Sequence, residues 1–263
     1  MDAFSALRLQ VEWGADEALD EAPIDRTRLA APPAVGAQAA ESFTPAFVPA
    51  ARPPAAVRPE PARPGPVARA QSVAAAATTL EELRAALAAF TDCPLAATAT
   101  NLVFADGNPE AGLVLVGEAP GAEEDVAGKP FVGASGKFLN RMLASIGLDR
   151  TQLLITNLIP WRPPGNRPPT DGEVLMCLPF LRRHLALARP RIVVTLGALA
   201  THALTGSDTG IRKLRGRWQT LELEGLGSVR LLPMLHPAYL LRTPGAKRDA
   251  WADLLALREA LEN

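Results

Sequence analysis

The chain has 263 residues, 48 % of them hydrophobic and 21 % charged, with a formal net charge of −1; this suits one large or two small globular domains and by itself argues neither for nor against nucleic acid. Two cysteines, Cys93 and Cys177, exclude a disulfide framework and fit a reducing compartment. No apolar run approaches the roughly 20 residues that cross a bilayer, and Met1-Asp2-Ala3-Phe4 lacks the basic start of a signal peptide, so a cytoplasmic protein is expected.

Residues 1–29 form a short acidic segment in which Leu7, Leu9, Val11 and Trp13 alternate as in a strand. Such a segment is too small to fold alone. Residues 30–78 are rich in Pro and Ala, with ten of the 25 prolines between Pro32 and Pro66. Proline removes donors and alanine buries little, so a disordered linker is expected there.

Residues 79–263 are expected to form the folded domain. Thr79-Leu80-Glu81-Glu82 is a capping box opening a helix over 80–89. Strands are predicted at 102–104, 113–116, 153–156, 192–196 and 229–235. Helices are predicted at 135–146, 171–188 (with Thr170 and Glu173 as a second capping box), 198–204 and 246–261. Several of the strands are unbroken apolar runs, as when both sheet faces are covered. The alternation implies a three-layer α/β/α sandwich around a central, mainly parallel sheet of four to five strands. In that architecture ligands bind beyond the carboxyl ends of the strands.

Those ends carry polar groups a buried strand has no use for. Leu113–Val116 runs into Gly117-Glu118-Ala119-Pro120-Gly121 and then Glu123-Glu124-Asp125. A glycine-rich strand end usually cradles a phosphate, but four carboxylates would repel one. After the next predicted strand come Asn157 and Arg162-Pro163-Pro164-Gly165-Asn166-Arg167. The last predicted strand is followed by His236-Pro237-Ala238-Tyr239-Leu240-Leu241-Arg242. A carboxylate, a carboxamide and an imidazole would thus converge on one crevice.

These motifs, with Gly128-Lys129-Pro130-Phe131-Val132-Gly133 between them, resemble the family 4 uracil-DNA glycosylases over residues 90–260. The resemblance implies an enzyme that flips uracil out of DNA and hydrolyses its N-glycosidic bond, leaving an abasic site. It implies Phe131 as an aromatic platform and Asn157 as reader of the base edge, lined by Gly117 and Ala119. His236 is implied as a neutral donor to the departing base, and Glu118 and Glu124 as the acidic side facing the sugar and the attacking water. The loop would avoid being a phosphate cradle because it faces a developing cation. For DNA contact the candidates are Ser135 at a helix start, Arg162, Arg167, Arg242, and Leu240 (or Tyr239) as a wedge. A further basic cluster lies at Arg212, Lys213, Arg215 and Arg217.

One departure stands out. The family holds a [4Fe–4S] cluster on four cysteines. Cys93 and Cys177 match two of these positions, whereas Phe90 and Trp161 stand at the others. The expectation is therefore a protein without cofactor or metal, its two thiols inert beside a packed aromatic patch. The partner expected is uracil-bearing DNA, bound by a monomer, with residues 1–29 either recruiting a replication or repair partner or merely tethered. Two other readings share these residues. One is a uracil- or damage-binding module without turnover. The other is a metal-dependent nucleotide hydrolase using Glu123, Glu124 and Asp125, which a chelator would stop.

Overall fold

A computed structural model describes residues 64–262; the expectations for residues 1–29 and for most of the linker lie outside them. The centre is a six-stranded sheet of order β1-β3-β2-β4-β6-β5. Its strands are β1 (Asp106–Gly107), β2 (Leu113–Gly117), β3 (Leu154–Asn157), β4 (Ile192–Leu196), β5 (Gln219–Leu223) and β6 (Gly227–Met234). The middle four, β3, β2, β4 and β6, are parallel, while β1 and β5 pair antiparallel at the two edges. Every residue of β2, β3 and β4 is buried, the consequence of helices on both faces.

Side-chain alternation divides these strands between two cores. Val114, Val116, Leu154 and Val193 enter one cluster with the helices α1 (Pro66–Ala76), α2 (Leu80–Ala88) and α6 (Asp171–Ala188). Leu113, Leu115, Ile155 and Val194 enter the other, with α5 (Ala134–Ala144) and α10 (Lys247–Glu262). The protein is thus the expected three-layer α/β/α sandwich. Shorter helices complete it: α3 (Leu95–Thr98), α4 (Ala122–Ala127), α7 (Ala198–Thr205), α8 (Ile211–Leu214) and α9 (Pro237–Arg242). No helix among the described residues is long and apolar enough to cross a membrane.

The sheet has six strands rather than the expected four to five, with β5 an unforeseen antiparallel edge, and two segments also differ from expectation. Residues 66–76, assigned to the disordered linker, form α1, whose Ala70 and Ala74 are buried in the core it shares with α6. Proline at the first helical turn costs no hydrogen bond, and alanine is the strongest helix former, so a Pro/Ala stretch serves as a helix once small side chains permit close packing. Arg69 Nε donates to Asp92 Oδ2 at 2.6 Å and Arg183 Nε to the Ala77 carbonyl at 2.8 Å, fixing α1 at both ends. The strand expected at 102–104 is instead an irregular segment. It is held by Val103 N–H on the Pro160 carbonyl (2.9 Å) and Thr156 Oγ1 on the Phe104 carbonyl (2.7 Å); the edge pairing falls to the two residues of β1.

His184 of α6 lies in this core, stacked on Phe104 with ring centroids 4.5 Å apart, and its Nε2 has no partner. Burial holds its pKa at about 4, below the usual 6.5. The unfolded chain therefore binds a proton that the folded chain refuses between those values, and stability falls as pH drops from 6.5 towards 4. His184→Leu is expected to remove this part of the acid sensitivity. Urea midpoints at pH 7 and pH 4.5 should lie closer together in the variant than in the wild type.

Candidate active site

The crevice opens where the parallel strands end. Strand order reverses at β2, with β3 on one side and β4 on the other, the position where α/β sheets bind ligands. Gly117 and Asn157 are register partners at the ends of β2 and β3. Beyond them Leu158 N–H donates to the Gly117 carbonyl and Ile159 N–H to the Glu118 carbonyl, both at 2.9 Å, so the loop carrying Glu118 continues the ladder. On the far side Gly197, at φ +100°, lets its backbone pass His236, whose Cβ would lie 3.2 Å from an added side chain. A cavity of about 490 Å³ results, lined by Glu118, Ala119, Glu124, Phe131, Asn157 and His236 among others.

Asn157 is 5 % exposed, and its Oδ1 has no hydrogen-bond partner. A buried, unpaired acceptor in a cavity wall is a ligand contact awaiting a donor. Gly117 is the reason the amide can sit there: a Cβ on it would meet Asn157 Oδ1 at 2.4 Å and the Phe131 ring at 2.6 Å. His236 caps the short α9, its Nδ1 accepting from Ala238 N–H at 3.1 Å. That bond requires an unprotonated Nδ1, which leaves the proton on Nε2 of a neutral ring. Burial above all, with the nearby Arg242, lowers the His236 pKa to about 4 against the opposing pull of Glu124. The ring lies 5.6 Å from that of Phe131.

The two carboxylates expected on the acidic side turn out unlike. Glu118 is partly buried, and desolvation raises its pKa. Glu124 is held on both oxygens: Oε1 accepts from Val132 N–H (3.0 Å) and Gly133 N–H (2.8 Å), Oε2 from Gly121 N–H (3.1 Å). It ties the start of α4 to the start of α5, so positioning is its evident work. It also claims one of the amides expected beside Ser135 for a phosphate. Glu123 points elsewhere, towards Lys137 at 3.9 Å, and Asp125 accepts from Thr100 and Asn101 N–H at 2.8 and 3.1 Å. Glu123 and Glu124 each bring one oxygen near Gly133, but Asp125 turns away, so the three acids do not converge as a set, which disfavours the metal-dependent hydrolase.

Of the DNA-contact candidates, Ser135, Arg167 and Arg242 border the crevice. Arg167 makes a two-pronged ion pair with Glu173 at 2.9 and 2.6 Å, and the guanidinium holds Glu173 at about 2. Arg162 lies outside the crevice wall, with its Nε on Asn166 Oδ1 at 2.7 Å. Leu240 is not a wedge: it is fully buried in the core with α5 and α10, because the one-turn offset of α9 turns it inward, and Leu241 is the exposed leucine at 40 %. Arg215 likewise leaves the basic cluster to pair with the buried Asp253.

Sequence reasoning missed the support of Phe131, whose φ is +54°. Arg150 donates to the carbonyls of Pro130 (3.1 Å) and Phe131, and is anchored on Asp106 at 2.7 Å. Gly136 of α5 packs against the same backbone, where a Cβ would stand 1.9 Å from the Phe131 carbonyl oxygen. No sequence signal marks Arg150, which lies 19 residues from Phe131.

With this geometry in place, the comparisons speak directly. The profile of the Uracil DNA glycosylase superfamily matches residues 104–255. The type-4 uracil-DNA glycosylase of Saccharolobus solfataricus is 39 % identical over 176 residues, covering 65 % of this chain and 81 % of that protein. The type-4 uracil-DNA glycosylase of Archaeoglobus fulgidus is 41 % identical over 171 residues, covering 64 % and 85 %, and that of Thermotoga maritima 40 % over 153, covering 58 % and 78 %. The chain belongs to the uracil-DNA glycosylase superfamily, and its type-4 branch supplies these relatives.

That kinship corrects the expectation of a protein without cofactor: the type-4 enzymes carry a [4Fe–4S] cluster, and an expectation of none conflicts with the cofactor of the branch. The residues described here do not compose a four-ligand site for it. Cys93 and Cys177 are both buried, and the proximity of Cys93 together with burial holds the Cys177 thiol well above its usual range. Phe90 and Trp161 are buried in the same core. Among the described residues no three His, Cys, Asp or Glu side chains converge as metal ligands.

Gly117→Ala is expected to cost about 1–3 kcal/mol of stability by driving the Phe131 ring and the Asn157 amide apart. Urea denaturation measures the loss, and a crystal structure of the variant should show both side chains displaced from the crevice.

Proposed function

We propose that this protein excises uracil from DNA, releasing free uracil and leaving an abasic site, through the crevice at the ends of β2, β3 and β6. The observation that carries the reading is the unpaired Asn157 Oδ1 facing the same cavity as a neutral His236.

The flipped base stacks on Phe131. Its N3–H donates to Asn157 Oδ1, and the amide nitrogen donates to O4. Cytosine reverses both groups at this edge and leaves the buried acceptor facing a lone pair, a mismatch worth about 1–3 kcal/mol or more. As the bond between C1′ and N1 breaks, its electron pair moves onto the base and negative charge reaches O2. His236 Nε2–H donates there without surrendering its proton, as its low pKa requires. The sugar becomes cationic, and Glu118 faces that charge and orients a water whose oxygen bonds to C1′. The water's second proton leaves through Glu118 and solvent. Glu124 fixes the loop geometry by which Phe131 and Glu118 face one another. Ser135, Arg167 and Arg242 meet the DNA backbone at the rim, and Leu241, being exposed, takes the wedge role assigned to Leu240. The proposal extends to a cytoplasmic monomer, with residues 1–29 as a recruiting arm for a repair or replication partner.

Purified protein is incubated in EDTA with a uracil-bearing oligonucleotide, and the product is treated with alkali. Scission at the uracil is expected. No scission, with the uracil strand still bound more tightly than its thymine counterpart, would establish the binding module instead. Asn157→Asp should narrow the preference for uracil over cytosine by at least tenfold, because the carboxylate loses the donor to O4. His236→Ala should slow single-turnover excision by about 10²–10³-fold, the usual loss for one donor to a developing anion, with the fold retained and stability lowered by about 0.5–2 kcal/mol through loss of the α9 cap. The rate should fall on the acid side through the raised pKa of Glu118, above 4.5, while His236 stays neutral down to about pH 4.

A further inference from the structure

A second cavity of about 380 Å³ lies on the other side of α9. The two share that helix: Ala238 and Arg242 border the uracil crevice, while Leu240 and Leu241 border the second groove. Its floor is apolar, built from Met142, Leu240, Ala250 and Leu254, and Trp251 of α10 stands at its edge 45 % exposed. Phe138 forms the opposite wall and holds two cations over its ring, Arg141 at 5.5 Å and Lys247 at 5.3 Å from the centroid. Both cations are exposed, and no carboxylate borders the groove.

An aromatic face beside two tethered cations is the composition that binds single-stranded nucleic acid: the ring stacks a base and the cations take its phosphate. We propose that this groove is a subsite for the nucleotide next to the uracil on the same strand, its base against Trp251 and its phosphate between Arg141 and Lys247. The occupant follows from continuity and charge. A helix is about 10 Å across with its side chains, within reach of the next nucleotide of an extended strand, so a strand with uracil in the crevice crosses α9 over Leu241 and arrives at the groove. The inference rests on the uracil-excising reading, which supplies the strand.

The test uses the full-length protein and uracil oligonucleotides in which the nucleotide on one side or the other of the uracil is replaced by a tetrahydrofuran residue lacking a base. Binding is read by fluorescence anisotropy and excision by single-turnover kinetics, in EDTA. Removing the base on one side should weaken wild-type binding about tenfold, while removal on the other side has little effect. Trp251→Ala should lose a similar factor on the intact strand and lose nothing further on the substituted one, with the saturating excision rate unchanged. Lys247→Ala should lower the slope of log affinity against log salt by about one.

Indifference of the wild type to both neighbouring bases, with uracil still excised, would overturn the subsite and leave the function standing. Failure to excise would strike the function alone, because the anisotropy arm still decides whether a neighbouring base is held. Full discrimination in Trp251→Ala would overturn the proposal too. So would a change in that variant from dimer to monomer on sedimentation with discrimination intact, which would make the groove an interface between two copies.

Discussion

The structure of the site depends on one buried carboxylate. Glu124 accepts hydrogen bonds from Gly121, Val132 and Gly133, satisfying donors at two helix starts that would otherwise be orphaned. Because those bonds fix both ends of the segment between α4 and α5, Phe131 is held in a left-handed backbone conformation that an isolated phenylalanine avoids. The Arg150 guanidinium and the bare face of Gly136 secure the other side of that residue. Strain at the platform is thus met by charge-assisted bonds placed around it, the usual pattern at functional sites. An acidic loop after a strand, which looks ill suited to ligand binding, is in fact a clamp on the backbone that presents the aromatic ring.

Much of the sheet was readable because the chain repeats one physical situation. Leu113–Val116 is apolar at every position and Ile192–Leu196 at all but Thr195, the pattern of a strand covered on both faces. The caps at Thr79 and Thr170 announced their helices for an equally local reason. The residues at the strand ends were legible by contrast, since Asn157 and His236 interrupt apolar runs without local cause. What was not legible depended on distant parts of the chain. Whether Leu240 or Leu241 faces out is decided by how α9 settles on α5, and the Pro/Ala stretch gave no sign that α6 offers a surface for α1. Arg150 reaches Phe131 through tertiary structure alone.

The charged groups also sort themselves in a way that counting cannot show. Residues 79–263 hold 20 Lys and Arg against 19 Asp and Glu, yet the pairs are not distributed evenly. Arg150 and Arg215 are bound to carboxylates with their own charge largely buried, and Arg167 at the rim shares its charge with Glu173. Arg242 at the crevice rim and Arg141 and Lys247 at the neighbouring groove lie on one side of α9 or the other. A nearly neutral domain can therefore offer a polyanion a local path without the indiscriminate attraction of a basic surface.

The unpaired oxygen of Asn157 has a consequence for the search that precedes chemistry. Thymine and uracil present the same N3–H and O4, so on the proposed reading the amide would treat them alike, and discrimination between them would fall to the shape of the wall near C5. Cytosine is rejected differently, by an electrostatic mismatch that acts as soon as the base edge approaches. On this reading the acceptor is met by a base that brings a donor and left facing a lone pair by one that does not, so each wrong amino-pyrimidine leaves as quickly as it enters. For a protein that must inspect many bases to find one, the unmet bond serves as a means of fast dismissal.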